Sequence, residues 1–76
     1  MLAVIIPAYN EQATVARTVA AARRVPVVEE VIVVDDGSRD ETAAQAKQAG
    51  ATVLRLPYNC GKGHALNCGY RATRAP

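Results

Sequence analysis

The segment Val33-Val34-Asp35-Asp36-Gly37-Ser38 joins an apolar run to two adjacent carboxylates and a glycine turn. Residues 31–34 are all β-branched, which predicts a strand buried on both faces of a parallel sheet. An unpaired carboxylate is costly inside such a core, so Asp35 and Asp36 are expected to mark the end of the strand. Ligands bind beyond the carboxyl ends of the strands in open parallel sheets. This segment therefore predicts a ligand-facing edge.

A turn and a helix are expected to follow this strand. Gly37 permits the unusual backbone angles of a tight turn. Ser38 and Glu41 have the S-x-x-E spacing of a capping box, which predicts that the second helix opens there. That helix continues through an alanine-rich segment and is expected to end at Gly50, a C′ glycine.

The chain before this segment predicts a strand and a helix. Residues 2–6 are apolar throughout, as in a strand at the centre of a sheet, and Pro7 is expected to end that strand. Asn10 is a favourable N-cap for the first helix. Glu11 suits the first turn of that helix, where a carboxylate meets the positive end of the helix dipole. The second strand is expected to span residues 30–35.

The same pattern continues to the end of the chain. Residues 51–56 predict a third strand stopped by Pro57, and a loop leads into a third helix over residues 64–73. Strands and helices alternate as βαβαβα with short connections, so we expect right-handed crossovers and a parallel sheet in the order 3-2-1. The predicted fold class is α/β. Residues 1–76 are expected to form one partial domain, a three-layer, Rossmann-like half of a nucleotide-binding fold.

The overall composition limits the possible functions. The chain has 76 residues and a formal net charge of +2, and its lysines and arginines are scattered, which disfavours a nucleic-acid surface. No segment approaches the ~18 apolar residues of a membrane span. The apolar start is interrupted by Pro7, as in a strand rather than a signal peptide. Cys60 and Cys68 are expected to be reduced thiols of a cytosolic protein.

Three connections, each after a strand, fall on one edge of the predicted sheet. Residues 7–11 carry a tyrosine and a carboxylate, residues 35–38 carry two carboxylates, and residues 59–63 carry Lys62 between two glycines. A tyrosine ring offers a stacking face for a base, and a carboxylate accepts hydrogen bonds from base or ribose groups. A lysine flanked by glycines can reach a phosphate. Together these connections predict a nucleotide site.

Each of these features also has a purely structural explanation. Tyr9 can cap the core, an aspartate favours turns, and glycines flank many surface turns. Glu11 can serve the helix dipole alone, and His64 is expected to be a helix-start residue rather than a catalyst. Neither G-x-G-x-x-G after the first strand nor G-x-x-x-x-G-K-[ST] is present, which excludes the dinucleotide-binding and P-loop classes.

The motifs, taken in order, resemble those of a known family. They are Val4-Ile5-Ile6-Pro7-Ala8-Tyr9-Asn10-Glu11, then Val33 to Ser38 with Asp40 and Thr42, then Asn59 with Gly61-Lys62-Gly63 and Ala65. In this order and spacing the chain resembles the N-terminal part of the family 2 glycosyltransferases of the GT-A fold. Within that family it looks most similar to enzymes that transfer a sugar to a polyprenyl phosphate or a small acceptor.

The resemblance implies roles for the matching residues. Pro7, Ala8, Tyr9 and Glu11 would line the nucleotide pocket, with Tyr9 against the base. Asp36 would bind the base or the ribose. The expected partner is therefore a nucleotide-sugar donor of the UDP or GDP type.

The third connection and the metal complete the implied site. Asp35 would hold its turn, and Lys62 with Gly61 would lie near the diphosphate. The family uses Mg²⁺ or Mn²⁺ to neutralise the leaving diphosphate, and a divalent cation suits that developing charge. The family's metal ligands, an Asp-x-Asp motif on a later strand, are expected outside this chain. No catalytic residue and no metal ligand is expected within it.

The resemblance thus implies the donor-nucleotide half of a truncated glycosyltransferase, inactive by itself. The alternative is a non-catalytic nucleotide-binding or assembly module. The far edge of the first strand is unpaired and apolar in a half-sheet, which predicts self-association into a homo-oligomer. The complete protein is expected to be cytoplasmic, at the inner face of a membrane. The sugar, the base and the acceptor stay open.

Overall fold

The computed structural model describes residues 2–73 of the chain. It contains three strands and three helices in strict alternation, which confirms the predicted element order. They are β1 (Leu2–Ala8), α1 (Val15–Arg23), β2 (Val28–Asp35), α2 (Thr42–Gln48), β3 (Thr52–Arg55) and α3 (Lys62–Ala72).

The three strands form one parallel sheet in the order β1-β2-β3, as predicted. Ile32 at the middle of β2 pairs with Ile5 on one side and Thr52 on the other. Residues 31–36 are all buried, so β2 is the central strand and carries the core of the sheet. Asp35 is its last residue, where the two carboxylates were expected to end it.

The two faces of β2 pack against different helices. Val31 and Val33 belong to a cluster with α1 and α2, whereas Ile32 and Val34 belong to a cluster with Ala65 of α3. The alternation follows from the strand period of two residues. The domain therefore has three layers, with α1 and α2 on one face of the sheet and α3 on the other.

Helix α3 approaches the sheet through a glycine. A Cβ atom at Gly69 would lie 2.4 Å from Cγ2 of Ile5 and 3.0 Å from Cγ2 of Val34. Because real Cβ atoms do not approach so closely, only a residue without a side chain fits here. Gly69 thus sets how closely α3 lies against β1 and β2.

The first strand differs from the prediction in two ways. Among residues 2–73, β1 pairs with β2 alone and lies at an edge of the sheet, not at its centre. Pro7 does not end the strand: it lies within β1, opposite Val34, and the strand continues to Ala8. An edge strand tolerates proline because it has only one neighbour that needs its N–H groups.

The predicted starts of all three helices were wrong. Helix α1 begins at Val15 rather than after Asn10, and its first turn contains no acidic residue, so Glu11 lies before it. Asn10 has a φ of 50°, whereas an N-cap residue adopts the β region. Helix α2 begins at Thr42, and its N-cap residue Glu41 makes no side-chain capping bond, so the Ser38–Glu41 capping box does not form.

The third helix begins two residues early, at Lys62, which had been expected in a loop. The end of α2 agrees with the prediction. Gly50 has a φ of 103°, and its N–H donates to the carbonyl of Lys47. The N–H of Ala51 donates to the carbonyl of Ala46, which completes a Schellman motif with Gly50 at C′.

Candidate functional site

The carboxyl ends of the three strands meet at one edge of the sheet. The N–H of Asp36 donates to the carbonyl of Ala8 at 2.8 Å, and the N–H of Leu56 donates to the carbonyl of Asp35 at 2.8 Å. These bonds keep β2 in register with both neighbours up to its last residue. The three connections singled out in the sequence therefore leave the sheet side by side.

The first carboxylate, Asp35, holds the turn after β2. It is 0% exposed, and its Oδ1 accepts a 2.9 Å hydrogen bond from the N–H of Ser38. Its Oδ2 is buried without a hydrogen-bond partner and lies 3.7 Å from Nε of Arg55 at the end of β3. Arg55 also donates from Nη2 to the carbonyl of Ser38 at 3.4 Å. The local geometry agrees with a turn-holding role for Asp35.

The second carboxylate, Asp36, fixes the loop after β3. Its Oδ1 accepts the N–H of Cys60 at 2.8 Å, and its Oδ2 accepts the N–H of Gly61 at 2.9 Å. Gly61 is exposed, with a φ of 94°, and Lys62 follows it as the first residue of α3. A carboxylate oxygen accepts more than one hydrogen bond, so Asp36 keeps acceptor capacity for a ligand. Its nucleotide contact stays a prediction.

The loop after β1 is tied to the loop after β2 by a network that local sequence patterns did not reveal. In each bond a backbone N–H of one loop donates to a side-chain oxygen of the other loop or of Thr42, the first residue of α2. We call this set the loop-to-loop network. The bonds are Asn10 N to Ser38 Oγ (2.7 Å), Arg39 N to Asn10 Oδ1 (2.9 Å), Glu11 N to Thr42 Oγ1 (2.8 Å), Gln12 N to Asp40 Oδ2 (3.3 Å) and Glu41 N to Gln12 Oε1 (3.0 Å).

Asp40 accepts further hydrogen bonds from Thr42, and these lower its pKa. The hydroxyl of Thr42 donates to Oδ1 of Asp40, and so does the backbone N–H of Thr42. These hydrogen bonds, that of the hydroxyl above all, favour the ionised carboxylate and hold the pKa of Asp40 below its ordinary value.

A cleft of about 450 Å³ opens between the three connections. Its lining carries two tyrosines and two arginines but no carboxylate, and we call it the Tyr9–Tyr58 cleft. The lining residues are Tyr9, Gly37, Ser38, Arg39, Arg55, Pro57, Tyr58 and Asn59.

The predicted site residues take different positions around this cleft. Tyr9 lines it and is 44% exposed, which places its ring at the surface rather than over the core. Ala8 is buried, Pro7 lies inside β1, and Glu11 is exposed on the loop after β1. Arg55 and Tyr58 also line the cleft, although neither belongs to a sequence motif that predicted the site. The position of Arg55 at the last residue of β3 was the available signal.

The described residues do not fit a divalent metal ion by themselves. Within residues 2–73 no group of three or more His, Cys, Asp or Glu side chains is arranged to hold one. Both oxygens of Asp36 and one oxygen of Asp35 are already engaged by backbone N–H groups. Residues 2–73 therefore do not supply a complete set of ligands for a metal ion. Over the same residues, no helix has the length and apolar character needed to cross a membrane.

Comparison with known sequences identifies a family and several relatives. The model of the family described as glycosyl transferase family 2 matches residues 3–76. An undecaprenyl-phosphate 4-deoxy-4-formamido-L-arabinose transferase of Serratia proteamaculans is 39% identical over 79 residues, which cover 91% of this chain and 24% of the relative. Protein RfbJ of Shigella flexneri is 40% identical over 65 residues, covering 86% of this chain and 50% of that protein.

The chain is also similar to solved structures. Glucosyl-3-phosphoglycerate synthase from Mycobacterium tuberculosis, in complex with Mn²⁺, UDP and glucosyl-3-phosphoglycerate, superposes with a TM-score of 0.83 at 34% identity. The match covers 96% of this chain and 29% of that one. The same enzyme was also solved with Mg²⁺ and UDP. The chain thus spans about a quarter to a half of the length of these relatives.

Proposed function

The chain belongs to glycosyl transferase family 2, and we propose that it forms the part of a GT-A glycosyltransferase that binds the nucleotide of a nucleotide-sugar donor. The observation that carries this proposal is the meeting of three loops around Asp36 and the Tyr9–Tyr58 cleft. The structural neighbour solved with UDP supports it, since that enzyme shares the fold and 34% of the aligned residues.

The proposed roles follow from position and chemistry. The Tyr9 ring, partly exposed in the cleft, stacks on the base. Asp36, with acceptor capacity left on a buried carboxylate, accepts from the base or ribose. Pro7 and Ala8 shape the backbone wall at the end of β1, and the exposed Glu11 carboxylate adds an acceptor at the rim.

The diphosphate is assigned to the other end of the site. Lys62 is the first residue of α3 and follows Gly61 directly, so a lysine lies at the N-terminal end of the helix, beside its first N–H groups. Both features favour an anion. Asp35 keeps the turn in place. When bound, Mg²⁺ or Mn²⁺ stabilises the leaving diphosphate. We propose that the metal ligands and the acceptor site come from outside residues 1–76. These residues alone are therefore expected to catalyse no sugar transfer.

The test is a calorimetric titration of this chain with UDP and GDP, with and without Mn²⁺. We expect saturable binding that Tyr9→Ala and Asp36→Asn each weaken about tenfold, or about 1.4 kcal/mol. Tyr70→Ala is the matched control, because Tyr70 is 72% exposed on α3. A chain that is folded by circular dichroism but binds neither nucleotide contradicts the proposal.

Self-association through β1 is a second proposal about partners. Within the described residues β1 has a free edge, and Leu2 on it is 49% exposed. Unpaired strand edges template pairing with another chain. Sedimentation equilibrium over a hundredfold concentration range is expected to show dimers or larger species, and a monomer at all concentrations contradicts this.

We further propose that the complete protein is cytoplasmic and acts at the inner face of a membrane. The support is that several relatives are named for undecaprenyl phosphate, an isoprenoid lipid. The mycobacterial neighbour was instead solved with phosphoglyceric acid. Sugar transfer by the full-length protein to undecaprenyl phosphate in vesicles, compared with transfer to phosphoglyceric acid, decides between these acceptors. Transfer to phosphoglyceric acid alone contradicts the membrane proposal.

A further inference from the structure

Tyr58 is an exposed aromatic residue that the core does not use. Its residue is 68% exposed and belongs to neither hydrophobic cluster of the described residues. It follows Pro57, whose ring restricts the backbone before it. Because the Tyr58 ring is exposed on a restrained loop, a planar ligand can stack on it.

The backbone that carries Tyr58 is held firmly. At Gly37 a Cβ atom would lie 2.4 Å from the carbonyl carbon of Tyr58 and 2.6 Å from the nitrogen of Asn59, so the loops touch backbone to backbone. Two residues further on, the Asp36 carboxylate binds the N–H groups of Cys60 and Gly61. The base of the Tyr58 side chain is therefore positioned before any ligand arrives.

Tyr58 shares its cleft with Tyr9, which comes from a different loop. Tyr9 follows β1 and Tyr58 follows β3, and both line the same space of about 450 Å³. The charged side chains that line this space are Arg39 and Arg55. Two aromatic rings suit a planar ligand. Arg39, together with Arg55 paired to Asp35, places positive charge beside them.

We propose that Tyr58 is the second aromatic wall of the base site, so that the base is held between Tyr9 and Tyr58. This inference rests on the proposed nucleotide-binding function and deepens it. Because every base has a π-face, stacking between two rings tolerates different bases. The wall thus contributes affinity for the nucleoside part of the donor, while discrimination between bases is left to polar groups outside the two rings.

The experiment uses the 76-residue chain with UDP, GDP and inorganic pyrophosphate as calorimetric probes. We expect Tyr58→Ala to weaken the affinities for UDP and GDP by similar factors, within about 5- to 150-fold, the range of base–aromatic stacking. The affinity for pyrophosphate, which has no base, is expected to stay unchanged. Tyr58→Phe keeps the ring and is expected to bind as the parent does, and Tyr70→Ala serves as the exposed control.

A second measurement keeps the inference testable if Tyr58→Ala does not fold. In the parent chain, the base protons of bound UDP are expected to shift upfield, and the ring protons of Tyr58 are expected to shift as well. If Tyr9→Ala weakens the binding of UDP while Tyr58→Ala does not, the proposed function stands and this inference fails. If Tyr58→Ala lowers the affinity for UDP but not that for GDP, the inference is also contradicted. If the folded parent binds no nucleotide, both fail together.

Discussion

The side-chain hydroxyl of Thr42 accepts a 2.8 Å hydrogen bond from the backbone N–H of Glu11, 31 positions earlier in the chain. Thr42 is 0% exposed and opens α2, whereas Glu11 lies on the loop after β1. The same hydroxyl donates to Asp40. One buried oxygen therefore joins two of the three connections that form the candidate site.

Removing that hydroxyl should destabilise the domain. Thr42→Val keeps the shape of the side chain but leaves the Glu11 N–H without its acceptor, so the free energy of unfolding should fall by about 2 kcal/mol. Thr42→Ser keeps the hydroxyl and removes one methyl group, with an expected loss of about 0.8 kcal/mol. Urea unfolding of both variants measures the difference. Equal losses for valine and serine would contradict the importance of the hydrogen bond.

Asp40 should make the stability depend on pH in the acid range. Its pKa in the folded chain is lowered, chiefly by the Thr42 hydroxyl. The stabilisation is therefore fully present above the unfolded pKa of about 4 and is lost as the pH falls through the lower pKa of the folded chain. Carboxyl NMR titration should show the low pKa in the parent chain and a rise towards the ordinary value in Thr42→Val. Asp40→Asn should lack this component of acid destabilisation in urea unfolding between pH 2 and pH 6.

Gly69 should not tolerate a side chain. In Gly69→Ala the new methyl group meets Ile5 and Val34, so α3 must move away from the sheet, with an expected loss of about 1–3 kcal/mol. Gly63→Ala in the first turn of the same helix is the matched control, since a Cβ atom there meets nothing within 4 Å. That control should leave stability unchanged or raise it by up to about 1 kcal/mol. A Gly69→Ala variant as stable as Gly63→Ala would show that the close packing is not required.

Gly37 should be more sensitive than Gly61, although both have a positive φ, of 79° and 94°. Gly61→Ala has open space around it and should cost only the backbone strain of its φ of 94° and ψ of 156°, about 1–3 kcal/mol. Gly37→Ala adds a clash with the backbone of Tyr58 and Asn59, so it should cost more and also weaken UDP binding. Thermal unfolding and calorimetry of the pair separate the strain from the clash. The same cost for both variants would mean that the loops can separate freely.

The sequence was sufficient for the topology because the relevant signals are local. The β-branched residues 31–34, the two carboxylates after them and Gly50 each act within a few positions along the chain. The starts of the helices were missed because their determinants are distant. Asn10 and Ser38 look like N-caps locally, but Ser38 accepts from Asn10 across 28 positions, and Asn10 accepts from Arg39 across 29.

The candidate site was predicted in outline for the same reason. Runs of residues at strand ends located the edge and included Tyr9, Asp35 and Asp36. The cleft, however, is defined by which loops lie side by side, and nothing in the local pattern around Arg55 or Tyr58 reports that Gly37 touches the backbone of residue 58.

The two hydrogen bonds from the loop after β3 to Asp36 limit which segments of this chain can be replaced by those of a relative. The carboxylate reaches the N–H groups of Cys60 and Gly61 only while the loop from Pro57 keeps its length. A chimaera that takes this loop from a relative with one residue more or fewer would place the wrong N–H groups opposite Asp36. The strand end that carries Asp36 and the loop through Gly61 therefore have to be transplanted as one unit, although 24 positions separate Asp36 from Cys60.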